Sequence, residues 1–226
     1  MNGGLLLALD TSTPLGGAAL GRNGTVLGEV LLGVRSRHSE SLLPAIDFLL
    51  RNADARPADL QGIIIGEGPG SFTGVRIAAA TAKGFAHALG VPLLACSSLA
   101  AAAASSAQAD RPVCALFDAR RDEVYAACYR FPGLAGIETL LAPAPRALDD
   151  VLADALALRP IFAGEGAHRY ADTIRAAGGE VAPPHAGGAI PAPLLWLASV
   201  GGAIEVDAAG WEPAYLRPSG AERGTP

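Results

Sequence analysis

The sequence predicts an α/β protein built from two duplicated mixed-sheet halves. Three observations carry that prediction. A series of three strands, a helix, a strand and a helix can be traced twice along the chain. The first strand of each series ends on an aspartate, Asp10 and then Asp118, and the fourth leaves through a Gly-Glu-Gly turn, Gly66-Glu67-Gly68 and Gly164-Glu165-Gly166. The composition agrees. Of 226 residues, 50% are apolar and 17% charged, enough for a core of Ala, Leu, Val and Ile, while 28 Gly and 17 Pro imply many tight turns.

In the first series, residues 5–9 read as a buried strand ending at Asp10, and Thr11-Ser12-Thr13-Pro14 turns the chain into a second strand over 16–21. Arg22-Asn23-Gly24 carries an Asn-Gly hairpin signal and leads to a third strand over 25–32. From 38 to 53, Leu42, Leu43, Ile46, Leu49 and Leu50 recur at helical spacing, with Ser36 or Ser39 available as a cap. Residues 62–65 form a short buried strand that enters a glycine-rich loop, and a helix continues to about Leu89, where Gly90 ends it.

The second series places strands at 113–117, 123–130 and 136–141, with the turn Ala119-Arg120-Arg121-Asp122 between the first two. A helix over 146–158, a strand over 160–163 and a helix over 168–177 complete it. The halves are expected to divide as 1–108 and 109–226. Together they describe the actin/Hsp70/sugar-kinase-like (ribonuclease H-like) architecture. In such folds strand ends and helix N-termini converge on a cleft and offer N–H groups to a nucleotide.

Charge and cysteine usage narrow the function. Seventeen basic against 22 acidic residues leave a net charge of −5, so neither a direct nucleic-acid grip nor a membrane surface is expected. No apolar stretch approaches the roughly 20 residues of a membrane span, no positively charged leader precedes residue 5, and a cytoplasmic chain is expected. Cys96, Cys114 and Cys128, an odd set without C-x-x-C spacing, read as buried free thiols.

Two segments could carry chemistry. Asp10, Thr11 and Ser12 put a carboxylate and hydroxyls at a strand exit, where they either hold a phosphate or its Mg²⁺, or satisfy a local turn. The loop Gly66-Glu67-Gly68-Pro69-Gly70-Ser71-Phe72-Thr73-Gly74 holds four glycines in nine residues and opens a helix that Ser71 or Thr73 can cap. It is not a P-loop and lacks dinucleotide spacing, so an anion cradle involving Gly68, Gly70 and Ser71 and a tight packing turn stand level. Phe72 in this polar loop is either a plug into the core, the preferred reading, or a contact for another chain. His38-Ser39-Glu40 lacks a second metal ligand one turn on, where Leu42 stands, and reads as capping. His87, His168 and His185 form no ligand spacing, and no G-x-S-x-G elbow is present. The helix over 73–89 is rich in small residues on nearly every face, so that neighbours can come close.

Several motifs resemble the TsaB (YeaZ) family. They are Ala8-Leu9-Asp10-Thr11-Ser12, His38-Ser39-Glu40 with Leu43-Pro44, Gly68 to Gly74 followed by Arg76-Ile77, Ala82-Lys83-Gly84, Asp118-Ala119-Arg120 with Glu123-Val124-Tyr125, and Pro213-x-Tyr215-Leu216-Arg217. The resemblance spans almost the whole chain, and the Gly-Pro-Gly-Ser-Phe-Thr-Gly run is its most specific part. It implies a non-catalytic, actin-fold subunit of the bacterial machinery that makes N6-threonylcarbamoyladenosine (t6A) in tRNAs reading ANN codons. The implied partners are the catalytic homologue TsaD, as a heterodimer, and the ATPase TsaE. Contact with tRNA is implied only through the complex, and a homodimer when the chain is alone. A separate synthase would make threonylcarbamoyl-AMP from threonine, bicarbonate and ATP.

The resemblance also implies site residues and cofactors. No catalytic or metal-binding residue is expected here, and no tightly bound cofactor beyond weak ATP or ADP. The metal and threonylcarbamoyl-AMP belong to TsaD, whose histidine pair is reduced here to His38 with Leu42 one turn later. The partner interface is expected on the first two helices, at His38, Leu42, Leu43, Ile46, Phe72, Thr73, Arg76, Ala78 and Ala82. Ala78 departs from the family, which usually has Gly after Arg-Ile. The competing reading is a self-contained actin-fold ATPase or phosphotransferase using Asp10 and the Gly66–Gly74 loop.

Overall fold

The computed structural model describes residues 3–33, 38–108, 110–120, 122–183 and 191–216. Strands β1 (Leu5–Asp10), β2 (Gly16–Arg22) and β3 (Thr25–Leu32) form an antiparallel meander. After helix α1 (His38–Asn52), β4 (Leu60–Gly66) lies parallel to β1 on its other side. Every residue of β1 is buried because both faces of the sheet are covered. Leu5, Leu7 and Leu9 join the core under α1, whereas Leu6 and Ala8 face the opposite layer. That is why β1 reads as an unbroken apolar run instead of an alternating one.

Helix α2 (Phe72–Leu89) leads to β5 (Leu93–Cys96), which is parallel to β4, and then to α3 (Ser98–Ala104). Gly90 adopts the left-handed conformation that closes α2, as the sequence predicts. Sequence reading did not find β5 or α3. Four residues are too few to show a period, and α3 is wedged between the two sheets, buried from Ser98 to Ala103, so it has no polar face.

The second sheet repeats the first. Strands β6 (Val113–Arg120), β7 (Glu123–Arg130) and β8 (Glu138–Ala147) form an antiparallel meander. Helix α4 (Leu148–Ala155) precedes β9 (Ile161–Ala163), which is parallel to β6; α5 (Glu165–Arg169) and α6 (Ala171–Ala176) precede β10 (Glu180–Val181), parallel to β9. The orders β5-β4-β1-β2-β3 and β10-β9-β6-β7-β8 are the same, with the same relative directions, which establishes the duplicated mixed-sheet α/β fold. Helix α7 (Ala192–Ser199) and β11 (Ile204–Val206) come late in the chain yet lie on the first sheet, β11 antiparallel to β5 at its edge.

Three local expectations are corrected. The helix expected from 146 begins only at Leu148, because β8 runs on through Pro143 and Pro145. Those prolines are tolerated since β8 is an edge strand, where a missing N–H need not break a ladder. The helix expected over 168–177 starts at Glu165 and is divided at Tyr170. Cys114 and Cys128 are not free thiols. They face each other across β6 and β7 with Cα atoms 4.1 Å apart and are joined as a disulfide, leaving Cys96 free and buried. A cross-strand pair depends on register and leaves no spacing signal. Ser36, Arg121, His185 and Arg217, named from the sequence, lie outside the described residues, as does the side chain of His38.

Candidate functional site

Because β1 and β4 are parallel neighbours, their exits lie side by side and bring the Asp10 turn against the glycine loop. Asp10, Thr11 and Ser12 are fully buried there. The Thr11 hydroxyl donates to the Gly74 carbonyl at 2.7 Å, and Ser71 N–H donates to the Ser12 carbonyl at 2.6 Å. Asp10 Oδ1 accepts from Ser12 N–H at 2.8 Å, Gly68 N–H donates to Ser98 Oγ at 3.0 Å, and Glu67 N–H donates to the Cys96 carbonyl at 2.9 Å. The Ser12 hydroxyl is buried among them without a hydrogen-bond partner. A Cβ at Gly66 would overlap the Asp10 carboxylate, at Gly70 the Ser12 carbonyl, and at Gly74 the Thr11 carbonyl. These glycines let two backbones touch. The structure thus assembles Asp10, Thr11, Ser12, Gly68, Gly70 and Ser71 as one cluster, in which most of the polar groups are spent on one another. Ser71 also caps α2, its Oγ accepting from Gly74 N–H.

Beside this seam, burial pushes the Glu67 carboxyl up from its ordinary value, opposed by a hydrogen bond from Trp211. The buried Cys96 thiol is also pushed up, first by burial and then by the charges of Glu67 and Asp10, which makes it a poor nucleophile. Burial raises the Tyr129 phenol to about 12, with Ser97 Oγ 3.3 Å away. In the second half, Glu165 Oε1 accepts from Asp118 N–H at 3.0 Å and Asp118 pairs with Arg169 at 2.7 Å. The sequence carried no signal for that Glu165–Asp118–Arg169 arrangement beyond the repeated Gly-Glu-Gly. Among the described residues no three His, Cys, Asp or Glu side chains gather as a metal site.

The outer faces of α1 and α2 tell a different story. Of the residues that the resemblance places at a partner interface, Leu42, Ile46, Ala78 and Ala82 are at most 1% exposed and pack in the core under the sheet, so they offer no surface to another chain. Helical spacing alone does not say which face turns inward. Leu43, Phe72, Thr73 and Arg76 are exposed, and Ala80, Gly84 and Ala88 extend their stripe along α2 at four-residue steps. With Leu43, Thr81 and Phe85 these three residues line an open apolar groove of about 480 Å³ between the helices. Nothing lies within 4 Å of a Cβ built on Gly84.

Phe72 is not a core plug. It is 38% exposed, with the Arg76 guanidinium 3.8 Å above its ring and Tyr215 beside it, ring centroids 5.4 Å apart. Sequence reasoning placed Tyr215 in a motif but not next to Phe72, since 143 positions separate them.

Comparison with known proteins fits this geometry. The model of a family described as TsaD, tRNA N6-adenosine threonylcarbamoyltransferase, matches residues 32–156. The tRNA threonylcarbamoyladenosine biosynthesis protein TsaB of Bacillus subtilis is 41% identical over 126 residues, 56% of this chain and 55% of that protein. The Escherichia coli protein of the same name is 35% identical over 127 residues, 55% and 54% of the two chains. The matches to these two relatives thus span about half their length. Over nearly the whole fold, YeaZ from Pseudomonas aeruginosa superposes with a TM-score of 0.79 at 32% identity, covering 94% of this chain and 100% of that one. A Pseudomonas aeruginosa protein described as similar to the peptidase YeaZ gives 0.80 at 33% identity, covering 95% and 100%.

Proposed function

The chain belongs to the TsaB (YeaZ) family, and from that premise we propose that it is a non-catalytic subunit of the t6A-forming machinery of tRNA. It docks the catalytic homologue TsaD on the outer face of α1 and α2 and helps form the surface that recruits TsaE; tRNA is reached through the complex. The observation that carries this reading is the exposed small-residue face of α2 with its apolar groove. Leu43, Ala80, Gly84 and Ala88 are positions where a monomer gains nothing from apolar or backbone surface, while a closely approaching helix would bury it.

The alternative ATPase reading is less well supported. It needs hydroxyls and loop N–H groups free to meet a phosphate, whereas those of Thr11, Gly68 and Ser71 are bonded within the protein. We therefore assign the Asp10 turn and its glycine loop a structural role, that of fixing the start of α2, with no tightly bound nucleotide.

The test uses Gly84→Glu. The site is open, so the isolated chain should fold, and the charged side chain should abolish copurification with TsaD. Undiminished recovery of TsaD with a folded Gly84→Glu chain would remove this face from the interface.

A further inference from the structure

We propose that Phe72, Arg76 and Tyr215 form a preorganised carboxylate clamp at one end of the α2 face, reading an Asp or Glu side chain on the docking partner. This deepens the docking function proposed above and rests on it.

The argument begins with how the arginine is held. One face of the Arg76 guanidinium lies 3.8 Å over the Phe72 ring, and its Nε donates to the Tyr215 hydroxyl at 3.1 Å. Tyr215 is itself anchored, because Ala214 N–H donates to the Glu67 carbonyl at 2.9 Å and Trp211 bonds the Glu67 carboxyl. The segment carrying Tyr215 is thereby fastened to the same loop that starts α2. An exposed arginine ordinarily loses rotamer entropy when it binds; this one is stacked and tied beforehand.

With one face covered and Nε engaged, the terminal Nη groups are the remaining donors. Among the described residues no carboxylate lies within ion-pair distance of Arg76, although arginines elsewhere, such as Arg51 and Arg169, are paired with carboxylates. A planar guanidinium in this state matches a carboxylate bidentately.

The setting favours a protein over a nucleic acid. Lys83, two turns along α2, is already directed to Glu212 at 3.8 Å, and the chain carries a net charge of −5, so among the described residues Arg76 stands between two aromatic rings and not in a basic track. Aromatic residues with arginine are the composition of interface hot spots. The clamp is also continuous with the groove, since Arg76, Ala80 and Gly84 succeed one another at four-residue steps.

The experiment measures binding of the full chain to purified TsaD by calorimetry at two salt concentrations. Arg76→Ala should weaken association about tenfold or more and flatten its salt dependence. Arg76→Lys should recover only part of the loss, because an ammonium cannot form the paired contact. Arg76→Glu should be rescued by an Asp or Glu to Arg exchange on the partner. If Arg76→Ala and Arg76→Glu bind like the parent while Gly84→Glu does not, the clamp is wrong and the docking face stands. If Gly84→Glu binds too, the docking reading itself falls. Should Arg76→Ala leave TsaD binding intact but weaken tRNA binding by the complex, the anion is a phosphate and the carboxylate proposal is overturned.

Discussion

Gly74 shows how a single position can be set by backbone contact. It is buried in the first turn of α2, its carbonyl accepts the Thr11 hydroxyl, and a Cβ there would overlap the Thr11 carbonyl. Gly74→Ala should therefore destabilise the chain by about 3 kcal/mol, the upper end of ordinary overpacking, despite the better helix propensity of alanine. Denaturant titration checks it; a stability unchanged or increased would mean that the loop can withdraw from the Asp10 turn. The sequence exposed four glycines and a serine cap but left cradle and packing turn level. The distinction depends on what each N–H and hydroxyl meets, and those partners come from the turn after β1 and from α3, far away in the chain.

At the scale of the element, α2 carries two faces that the sequence could not separate. Ala78 and Ala82 lie against the sheet, whereas Ala80, Gly84 and Ala88 face outward, and small residues on nearly every face blur the apolar stripe that would normally orient a helix. Gly84 is the informative residue. In an exposed helix interior glycine costs about 1 kcal/mol relative to alanine, and nothing in the chain fills the space above it. Gly84→Ala should raise the stability of the isolated chain by about 1 kcal/mol while weakening TsaD binding, a combination expected when closeness to a partner opposes the added methyl. A thermal melt and a binding isotherm on one preparation measure both; stabilisation without any loss of binding would place the partner elsewhere. In α1, similarly, spacing grouped Leu42 with Leu43, and only packing divides them, Leu42 inward and Leu43 outward.

Across the whole molecule, Glu67 ties together the glycine loop, β5 through Cys96, and the late segment through Trp211 and Ala214. Its folded pKa is raised above the ordinary 4.5, so protonation favours the folded state. Its contribution is fully present below 4.5 and is lost as pH rises through the raised value. Glu67→Gln, which keeps an acceptor for Trp211, should be the more stable protein at neutral pH, with its advantage shrinking as the pH falls toward 4.5. Urea midpoints at two pH values would show this. An equal difference at both would mean that Glu67 does not titrate between them.

By itself the sequence determined the duplicated α/β architecture and most of its elements, because strand runs, an Asn-Gly turn, a serine cap and a closing glycine are local signals that survive without tertiary context. It also carried the family, in the unbroken Gly-Pro-Gly-Ser-Phe-Thr-Gly run. Only the tertiary structure decided that the late α7 and β11 return to the first sheet, that Cys114 meets Cys128, and that Tyr215 lies on Phe72 and Arg76. It also decided which side of α1 and α2 is free. The reason is common to all four. Each is a relation between separate segments of the chain or between the faces of one helix, fixed by strand register and by burial against a sheet.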